Sequence, residues 1–339
     1  MIHLVTLDFP PAYDGGVAAW AEDLGRALVD QGQPVRVYAR RTGDTGAADR
    51  ALPFEVARLR GRSWGRWQGI WAAAVAPRVR RGDTVVLATW PLGTVLAPLV
   101  AGRAAVAVAF HGSELTRHAR APAGLRRVVA VARACLPVSR FLQAELLRLT
   151  GREGVVMPMP LAFPASAPQG ARQGLVCLAR LTPLKGVERV LALGEALGWP
   201  VSIIGDGPAR SSLEAQGAGA EVRFHGRLPR AEARRALGAH QLCALLPRTA
   251  PDGGGAEGLG LALLEAMGEG TPVVGCATGG VPEAVGEGLV LDAPDDAAAS
   301  ADQVRGWLAG GARGDEARRW VLAHHGPAAS VGALMEALA

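Results

Sequence analysis

The sequence predicts two α/β domains, each built around a doubly wound parallel sheet. The chain has 339 residues, and domains typically contain about 100–200 residues. Hydrophobic residues make up 49% and charged residues 20%, a composition that can fill two cores and argues against disorder. Short β-branched runs alternate with amphipathic segments along the whole chain. This alternation is typical of parallel strands covered by helices on both faces.

The strand candidates form two successive series. The first series lies at residues 2–7, 35–39, 84–89, 105–110, 135–138 and 155–157. The second lies at residues 174–179, 201–205, 222–225, 242–246, 272–275 and 289–291. Intervening amphipathic segments, such as 17–31 and 140–150, predict helices. Two series of this kind indicate two Rossmann-like domains, whose ligands bind at the carboxyl ends of the strands.

A proline-rich segment, MPMPLAFPASAP at residues 157–168, marks the predicted domain boundary. We expect an N-terminal domain over residues 1–160 and a C-terminal domain over residues 161–326. The last segment, 327–339, follows His324-His325-Gly326 and has a helical pattern. With one ligand-binding edge in each domain, the expected active site is a cleft between the two.

Charge is distributed unevenly between the two halves. Residues 1–160 carry 21 basic and 12 acidic side chains, whereas residues 161–339 carry 15 and 19. The basic N-terminal half favours an anionic partner, such as a membrane surface or an acidic acceptor. No nucleic-acid-binding module is recognisable, so we expect no nucleic-acid partner.

The four cysteines predict a reducing compartment. Cys135, Cys177, Cys243 and Cys276 are far apart and each lies in or beside an apolar run. Buried free thiols and a cytoplasmic location fit this pattern best. The first eleven residues have no basic segment and no cleavage site, so they do not predict a signal peptide. Residues 84–102 lack charge, but Pro91 and Pro98 interrupt them, which indicates a strand followed by a short helix rather than a membrane span.

Glycine-rich and charged loops follow several predicted strands. Gly15 and Gly16 precede a helix, where backbone N–H groups bind anions, although a plain tight turn has the same sequence. His111 follows a strand and is suited to bind a ligand or to pack in its loop. Arg180 and Lys185 lie before the first helix of the second domain and favour a diphosphate. Lys185 is the single lysine beside 35 arginines, which indicates a function that arginine does not supply.

Two glutamates, Glu257 and Glu265, stand eight residues apart around Gly258 and Gly260. On one helix they would share a face. Glu257, however, is expected in the loop before the helix, so that the pair brackets the helix N-terminus. Carboxylates in such a place accept hydrogen bonds from sugar hydroxyls.

These motifs together resemble a known family. The segments GVAAWAEDLGRAL, FHGSEL, ARLTPLKGVERVL, IIGDGP and EGLGLALLEAMGEGTPVVGCATGGVPEAV occur in the order found in glycosyltransferase family 4, the group 1 retaining glycosyltransferases. The resemblance implies the GT-B fold: two Rossmann-like domains, a nucleotide-sugar donor held mainly by the second domain, and a last helix, 327–339, that packs on the first. It also implies catalysis without a metal or other cofactor.

The resemblance implies a role for each motif. Arg180 and Lys185 would contact the donor diphosphate, and Glu265 the ribose hydroxyls. Glu257, with Gly258 and Gly260 beside it, would contact the sugar. His111 would lie near the reacting carbon. Gly15 and Gly16 would let the backbone approach the donor phosphates or the acceptor.

Other functions remain open at this point. A sugar phosphorylase of the same fold would need inorganic phosphate, and a non-catalytic donor-binding subunit would bind donor without transfer. An epimerase of the same fold is disfavoured by the set of Arg180, Lys185, Glu257 and Glu265. The acceptor is not identified by any motif.

The segment RLRGRSWGRWQGIW at residues 58–71 has two interpretations. Trp64, Trp67 and Trp71 would line one face of a helix. We expect them to pack inward, with the arginines in solvent. The alternative is peripheral contact with the inner face of an anionic membrane. The arginines concerned are Arg58, Arg60, Arg62 and Arg66, extended by Arg78, Arg80, Arg81, Arg126 and Arg127.

Overall fold

A computed structural model describes residues 1–11, 15–61, 67–168, 170–218, 221–250, 255–311 and 313–339. The chain divides into two compact units. The first contains Met1–Ala162 and His325–Ala339, and the second contains Phe163–His324. The first boundary therefore lies within the proline-rich segment 157–168.

The first unit contains a parallel six-stranded sheet within its described residues. Its strands are β1 (Ile2–Val5), β2 (Val35–Arg40), β3 (Glu55–Leu59), β4 (Thr84–Leu87), β5 (Ala105–Phe110) and β6 (Ala134–Pro137). They are arranged in the order β3-β2-β1-β4-β5-β6, and each neighbouring pair is parallel. In this doubly wound order the strand order reverses between β1 and β4, and ligands of such sheets bind at this reversal point.

Helices follow most of these strands, because the intervening segments carry one apolar face each. They are α1 (Gly16–Asp30), α2 (Gly46–Arg50), α3 (Trp67–Val75), α4 (Gly93–Val100), α5 (Ser113–Thr116), α6 (Ala123–Val131) and α7 (Arg140–Thr150). Short 3₁₀ helices lie at Ala76–Arg78 and Trp90–Leu92. The largest side chains of the core include Trp20, Tyr38 and Phe110, which are at most 1% exposed.

The second unit repeats the arrangement. Its strands are β7 (Leu175–Leu178), β8 (Val201–Ile204), β9 (Val222–Gly226), β10 (Leu242–Ala244), β11 (Val273–Cys276) and β12 (Leu289–Leu291). Their order, β12-β11-β10-β7-β8-β9, is again parallel throughout and places the reversal between β7 and β10. The helices are α8 (Val187–Leu197), α9 (Arg210–Gln216), α10 (Arg230–Gly238), α11 (Leu261–Gly268), α12 (Val281–Val285), α13 (Ala297–Leu308) and α14 (Arg313–His324).

The last helix, α15 (Pro327–Leu338), packs on the first unit against α1, β5 and β6. Its N-terminal end is held by Ser330, whose hydroxyl donates to the carbonyl of Pro158 at 2.7 Å. At its C-terminal end the Arg133 guanidinium donates to the carbonyls of Leu338 and Ala339. The predicted fold class, two doubly wound α/β units, is confirmed.

Two local predictions had different outcomes, and one strand was not predicted. The strand expected at residues 155–157 is wrong: Val155 and Met157 only donate backbone hydrogen bonds to the carbonyls of Cys135 and Pro137 beside β6. Strand β3 was not predicted, because this edge strand carries Glu55 and Arg58 and lacks an apolar run. Residues 84–102 form β4, a 3₁₀ turn and α4. In the described parts of the chain, no helix has the length and apolar character needed to cross a membrane.

The prediction of buried free thiols is confirmed, since all four cysteines are buried and unpaired. Burial raises the pKa of Cys135 to about 11 and that of Cys177 to about 12. Both groups therefore stay protonated at neutral pH and behave as core residues rather than nucleophiles.

Candidate active site

In the second unit, a close backbone contact positions the loop after β7. This loop ends in a 3₁₀ turn, Pro183–Lys185, followed by Gly186 in the left-handed region at φ 59°. A Cβ atom on Gly186 would lie 1.9 Å from the carbonyl oxygen of Leu246, just beyond β10. Only glycine permits this approach. The contact places Lys185 at the reversal point between β7 and β10.

Glu257 comes to the same place from the loop after β10. Its carbonyl accepts a hydrogen bond from the N–H of Gly280 at 2.9 Å, and a Cβ on Gly279 would lie 2.2 Å from the same oxygen. Lys185 Nζ donates to Glu257 Oε2 in a close ion pair. The side chains are 29% and 15% exposed, so ligands can reach both groups.

The loop after β7 and the loop after β10, together called the loop pair, also contain other predicted residues of the second unit. Arg180 lies in the loop after β7 with its side chain exposed. Gly258 precedes α11, and Gly260 caps that helix at φ 105°, a conformation that favours glycine. Glu257 lies in the loop, as expected, and only Glu265 lies on α11.

Glu265 is buried, with 6% of its surface exposed. Arg230, the first residue of α10, donates from Nε to Glu265 Oε1 at 2.9 Å. Each glutamate of the motif is thus paired with a cation from a different loop or helix.

In the first unit, Gly15 and Gly16 begin α1 directly after the loop that leaves β1. Gly15 is the N-cap, and its carbonyl accepts from the N–H of Ala19 at 3.0 Å. A Cβ on Gly15 would meet no atom of the described residues within 4 Å. Packing against this described part of the chain therefore does not require glycine here. Tyr13 and Asp14 of the same motif lie outside the described residues.

His111 follows β5 and packs beside α1. Its ring lies edge-on to the indole of Trp20, with centroids 4.8 Å apart. Burial lowers the pKa of His111 to about 4, although a hydrogen bond with the carbonyl of Ala88 opposes the shift. Nε2 is buried and has no hydrogen-bond partner among the described residues. At neutral pH this histidine is uncharged, which suits it to accept or share a hydrogen bond and not to act as a cation.

Glu114 braces the His111 loop and was missed by sequence reasoning. Its carboxylate accepts hydrogen bonds from the backbone N–H groups of His111 and Gly112, the latter at 3.0 Å. Burial raises the pKa of Glu114, while these N–H donors lower it. The sequence contains a signal for this contact, because a glutamate at the start of a helix commonly accepts hydrogen bonds from the preceding backbone N–H groups.

The basic segment at residues 58–71 divides between core and surface. Trp71 is 1% exposed and donates from Nε1 to the carbonyl of Arg60 at 3.1 Å, so it packs inward as expected. Arg58 binds Asp49 and the carbonyl of Pro10 and is 10% exposed, so it is not a solvated cation. The predicted residues Arg62, Trp64 and Arg66 lie outside the described residues.

Among the described residues, no group of three or more histidine, cysteine, aspartate or glutamate side chains could hold a metal ion.

Comparison with known families identifies this class of protein. Residues 172–309 match the family model described as glycosyl transferases group 1, and this range contains Arg180, Lys185, Glu257 and Glu265. Over its full length the chain has the fold of two solved structures. One is Anabaena Alr3699/HepE in complex with UDP and glucose, at 18% identity and TM-score 0.78, covering 99% of this chain and 98% of that one. The other is AviGT4, a glycosyltransferase involved in avilamycin A biosynthesis, at 20% identity, TM-score 0.73 and coverage of 99% and 96%.

Curated relatives agree with this class. The chain is 28% identical over 332 residues to a GDP-mannose-dependent alpha-(1-6)-phosphatidylinositol monomannoside mannosyltransferase of Mycobacterium tuberculosis, covering 86% of this chain and 85% of the relative. It is 29% identical over 360 residues to the Mycolicibacterium smegmatis enzyme of the same description, with coverage of 94% and 93%. The fold is GT-B, and residues 172–309 are similar to the group 1 glycosyltransferases.

The Lys185–Glu257 pair generates a prediction for Glu257→Gln. The amide keeps the shape but releases the lysine, so nucleoside diphosphates should bind about two- to fivefold more tightly, the value of a partly exposed ion pair. Sugar transfer should slow by about tenfold or more, because the sugar loses a charged orienting group. Calorimetry and initial rates measure the two effects.

Glu188→Gln is the matched control, because Glu188 pairs with Arg248 in the same unit. It should leave both quantities unchanged. Weaker nucleotide binding in Glu257→Gln, or unchanged turnover, would contradict the prediction.

The lowered pKa of His111 predicts a pH dependence of stability. The folded value is about 4 against 6.5 for the ordinary group. The unfolded chain therefore takes up the proton first, and the contribution is present above pH ~6.5 and lost as the pH falls towards ~4. The free energy of unfolding should fall by up to about 3 kcal/mol more in the wild type than in His111→Gln across this window. Urea unfolding at a series of pH values measures the difference, and parallel profiles would refute it.

Proposed function

We propose that this enzyme transfers a mannosyl group from GDP-mannose to a lipid-linked acceptor, with retention of anomeric configuration. The observation that carries the proposal is the Lys185–Glu257 pair at the reversal point of the second sheet. It combines a cation for a diphosphate with a carboxylate for sugar hydroxyls. The relatives described as GDP-mannose-dependent support the choice of donor, and their phosphatidylinositol mannoside acceptor supports the choice of a lipid-linked one.

Charge explains how the pair would act. When the bond between the anomeric carbon and the phosphate oxygen breaks, the departing diphosphate keeps the electron pair and gains negative charge. Lys185 and the exposed Arg180 would balance this charge. Lys185 would leave Glu257 for the diphosphate, and Glu257 would then be available to the sugar. In this proposal the cations of the chain, and no bound metal ion, supply the positive charge.

His111 would have an orienting role. Because it is uncharged at neutral pH and its Nε2 has no partner in the described part of the chain, it can accept a hydrogen bond from a sugar hydroxyl. Gly15 and Gly16, at the start of α1, would receive the phosphates or the acceptor.

The lysine provides the direct test of this function. With GDP-mannose as donor, Lys185→Ala should lower kcat about 10²–10³-fold, the usual cost of removing a group that stabilises developing charge. Lys185→Arg should also be severely impaired, since the planar guanidinium group does not replace a compact ammonium group. Release of GDP measures turnover, and unchanged thermal unfolding shows that both variants fold. A fully active Lys185→Arg would disprove the role given to this lysine.

Two controls separate the alternatives. A thermal-shift panel of GDP, UDP, ADP and dTDP identifies the base, because the ligand that binds most tightly raises the melting temperature most. We expect GDP to do so, and a larger shift with UDP would replace GDP-mannose by a UDP-sugar. Sugar transfer that requires inorganic phosphate would instead indicate a phosphorylase.

A membrane surface is the proposed meeting place with the acceptor. Helices α3 and α4 pack against each other and expose Ile70 and Leu99, which are 46% and 55% exposed. The adjacent Arg78, Arg80 and Arg81 are also exposed. Exposed apolar side chains beside arginines favour the interface of an anionic bilayer. In this proposal the enzyme is cytoplasmic and peripheral.

We expect the protein to cosediment with phosphatidylglycerol-containing vesicles at low salt and to dissociate at high salt. The double variant Ile70→Ser/Leu99→Ser should bind about tenfold or more weakly, because two side chains lose their insertion energy. Leu147→Ser is the matched control, since Leu147 is 45% exposed on α7. Absence of binding at low salt, or an equal loss in the control, would exclude this surface.

A further inference from the structure

Two parallel ion pairs join α10 to α11. Arg230 donates to Glu265 at 2.9 Å, and Arg234 donates from Nε to Glu269 at 2.8 Å. The arginines are four residues apart and so are the glutamates, so the two pairs lie one helical turn apart. The glutamate side chains are 7% and 6% exposed, and the arginines are 27% and 18% exposed. By burial and bond length the two pairs are nearly equivalent.

Their surroundings differ. Arg234 stacks over the ring of Phe163, with its guanidinium carbon 4.9 Å from the ring centroid. The carbonyl of Glu269 accepts from Arg172 at 2.9 Å, which ties the start of the unit to the end of α11. This second pair therefore serves packing inside the unit.

Arg230 has an electrostatically unfavourable position for a purely structural residue. It is the first residue of α10, and its N-cap, Pro229, makes no side-chain capping bond. The N-terminus of a helix carries partial positive charge, so a cation there is opposed by the helix dipole. A favourable interaction with Glu265 must offset this repulsion.

We propose that Arg230 is a positioning residue of the donor site, which holds the Glu265 carboxylate in one orientation for the ribose diol of the nucleotide. The inference rests on the proposed function, because it requires a ribonucleotide donor. A buried carboxylate without a cation tends to take up a proton, and then loses part of its capacity to accept hydrogen bonds. A carboxylate has two oxygen atoms and about four acceptor positions, so it can accept hydrogen bonds from an arginine and from ribose hydroxyls together.

The test compares GDP with 2′,3′-dideoxyguanosine diphosphate, which lacks the ribose diol, by calorimetry. The wild type should prefer GDP. Arg230→Gln should weaken GDP binding by about tenfold or more, the value of a hydrogen bond to a charged group, and leave the dideoxy nucleotide unaffected. Discrimination between the two nucleotides should therefore disappear. In turnover, the variant should raise the donor KM with little change in kcat.

Arg234→Gln is the matched control, because it breaks the equivalent pair one turn away. It should lower the melting temperature as much as Arg230→Gln does, yet keep the wild-type discrimination. Arg230→Lys retains the positive charge and should recover part of the discrimination that Arg230→Gln loses.

The outcomes separate the two proposals. Wild-type protein that binds neither GDP nor UDP would refute the proposed function and this inference with it. Should UDP bind better, the same comparison is made with UDP and its dideoxy analogue. Wild-type discrimination that survives in Arg230→Gln, or is lost equally in Arg234→Gln, would overturn the positioning role and leave the proposed function standing. Equal discrimination by Arg230→Lys and Arg230→Gln would also overturn it.

Discussion

Direct contact between backbones at the carboxyl ends of β7, β10 and β11 is the constraint on which the candidate site depends. Gly186 lies against the carbonyl of Leu246, and Gly279 lies against that of Glu257. Neither contact leaves space for a side chain. Because the loops are held through their backbones, Lys185 and Glu257 reach each other although 72 residues separate them. The position of Lys185 beside Glu257 therefore follows from backbone packing, which does not depend on charge.

The charges at this point are balanced by partners within the chain. Glu257 neutralises Lys185, and Glu265 is neutralised by Arg230. Such pairing limits the cost of keeping carboxylates in partly buried positions. It also means that an anionic donor would exchange partners with the lysine rather than meet an isolated cation. His111 follows a different principle, since burial keeps it uncharged in the first unit.

Much of the fold could be predicted from the pattern of apolar residues, because central parallel strands are continuous apolar runs. The features that this pattern did not predict were missed for physical reasons. Strand β3 lies at a sheet edge and carries Glu55 and Arg58, so it lacks that signal. Spacing and the resemblance singled out Lys185 and Glu265, but their partners depend on tertiary contacts. Arg230, 35 residues before Glu265, has no local signal that distinguishes it from the other arginines.

Calorimetric titration of the wild type and Lys185→Ala with GDP and GMP measures whether the second unit binds a diphosphate through Lys185. We expect the wild type to bind the diphosphate about tenfold or more tightly than the monophosphate, as for a charge-assisted contact to the second phosphate. The variant should lose this preference. Equal affinity of the wild type for GDP and GMP, or a preference that survives in the variant, would contradict this role of Lys185.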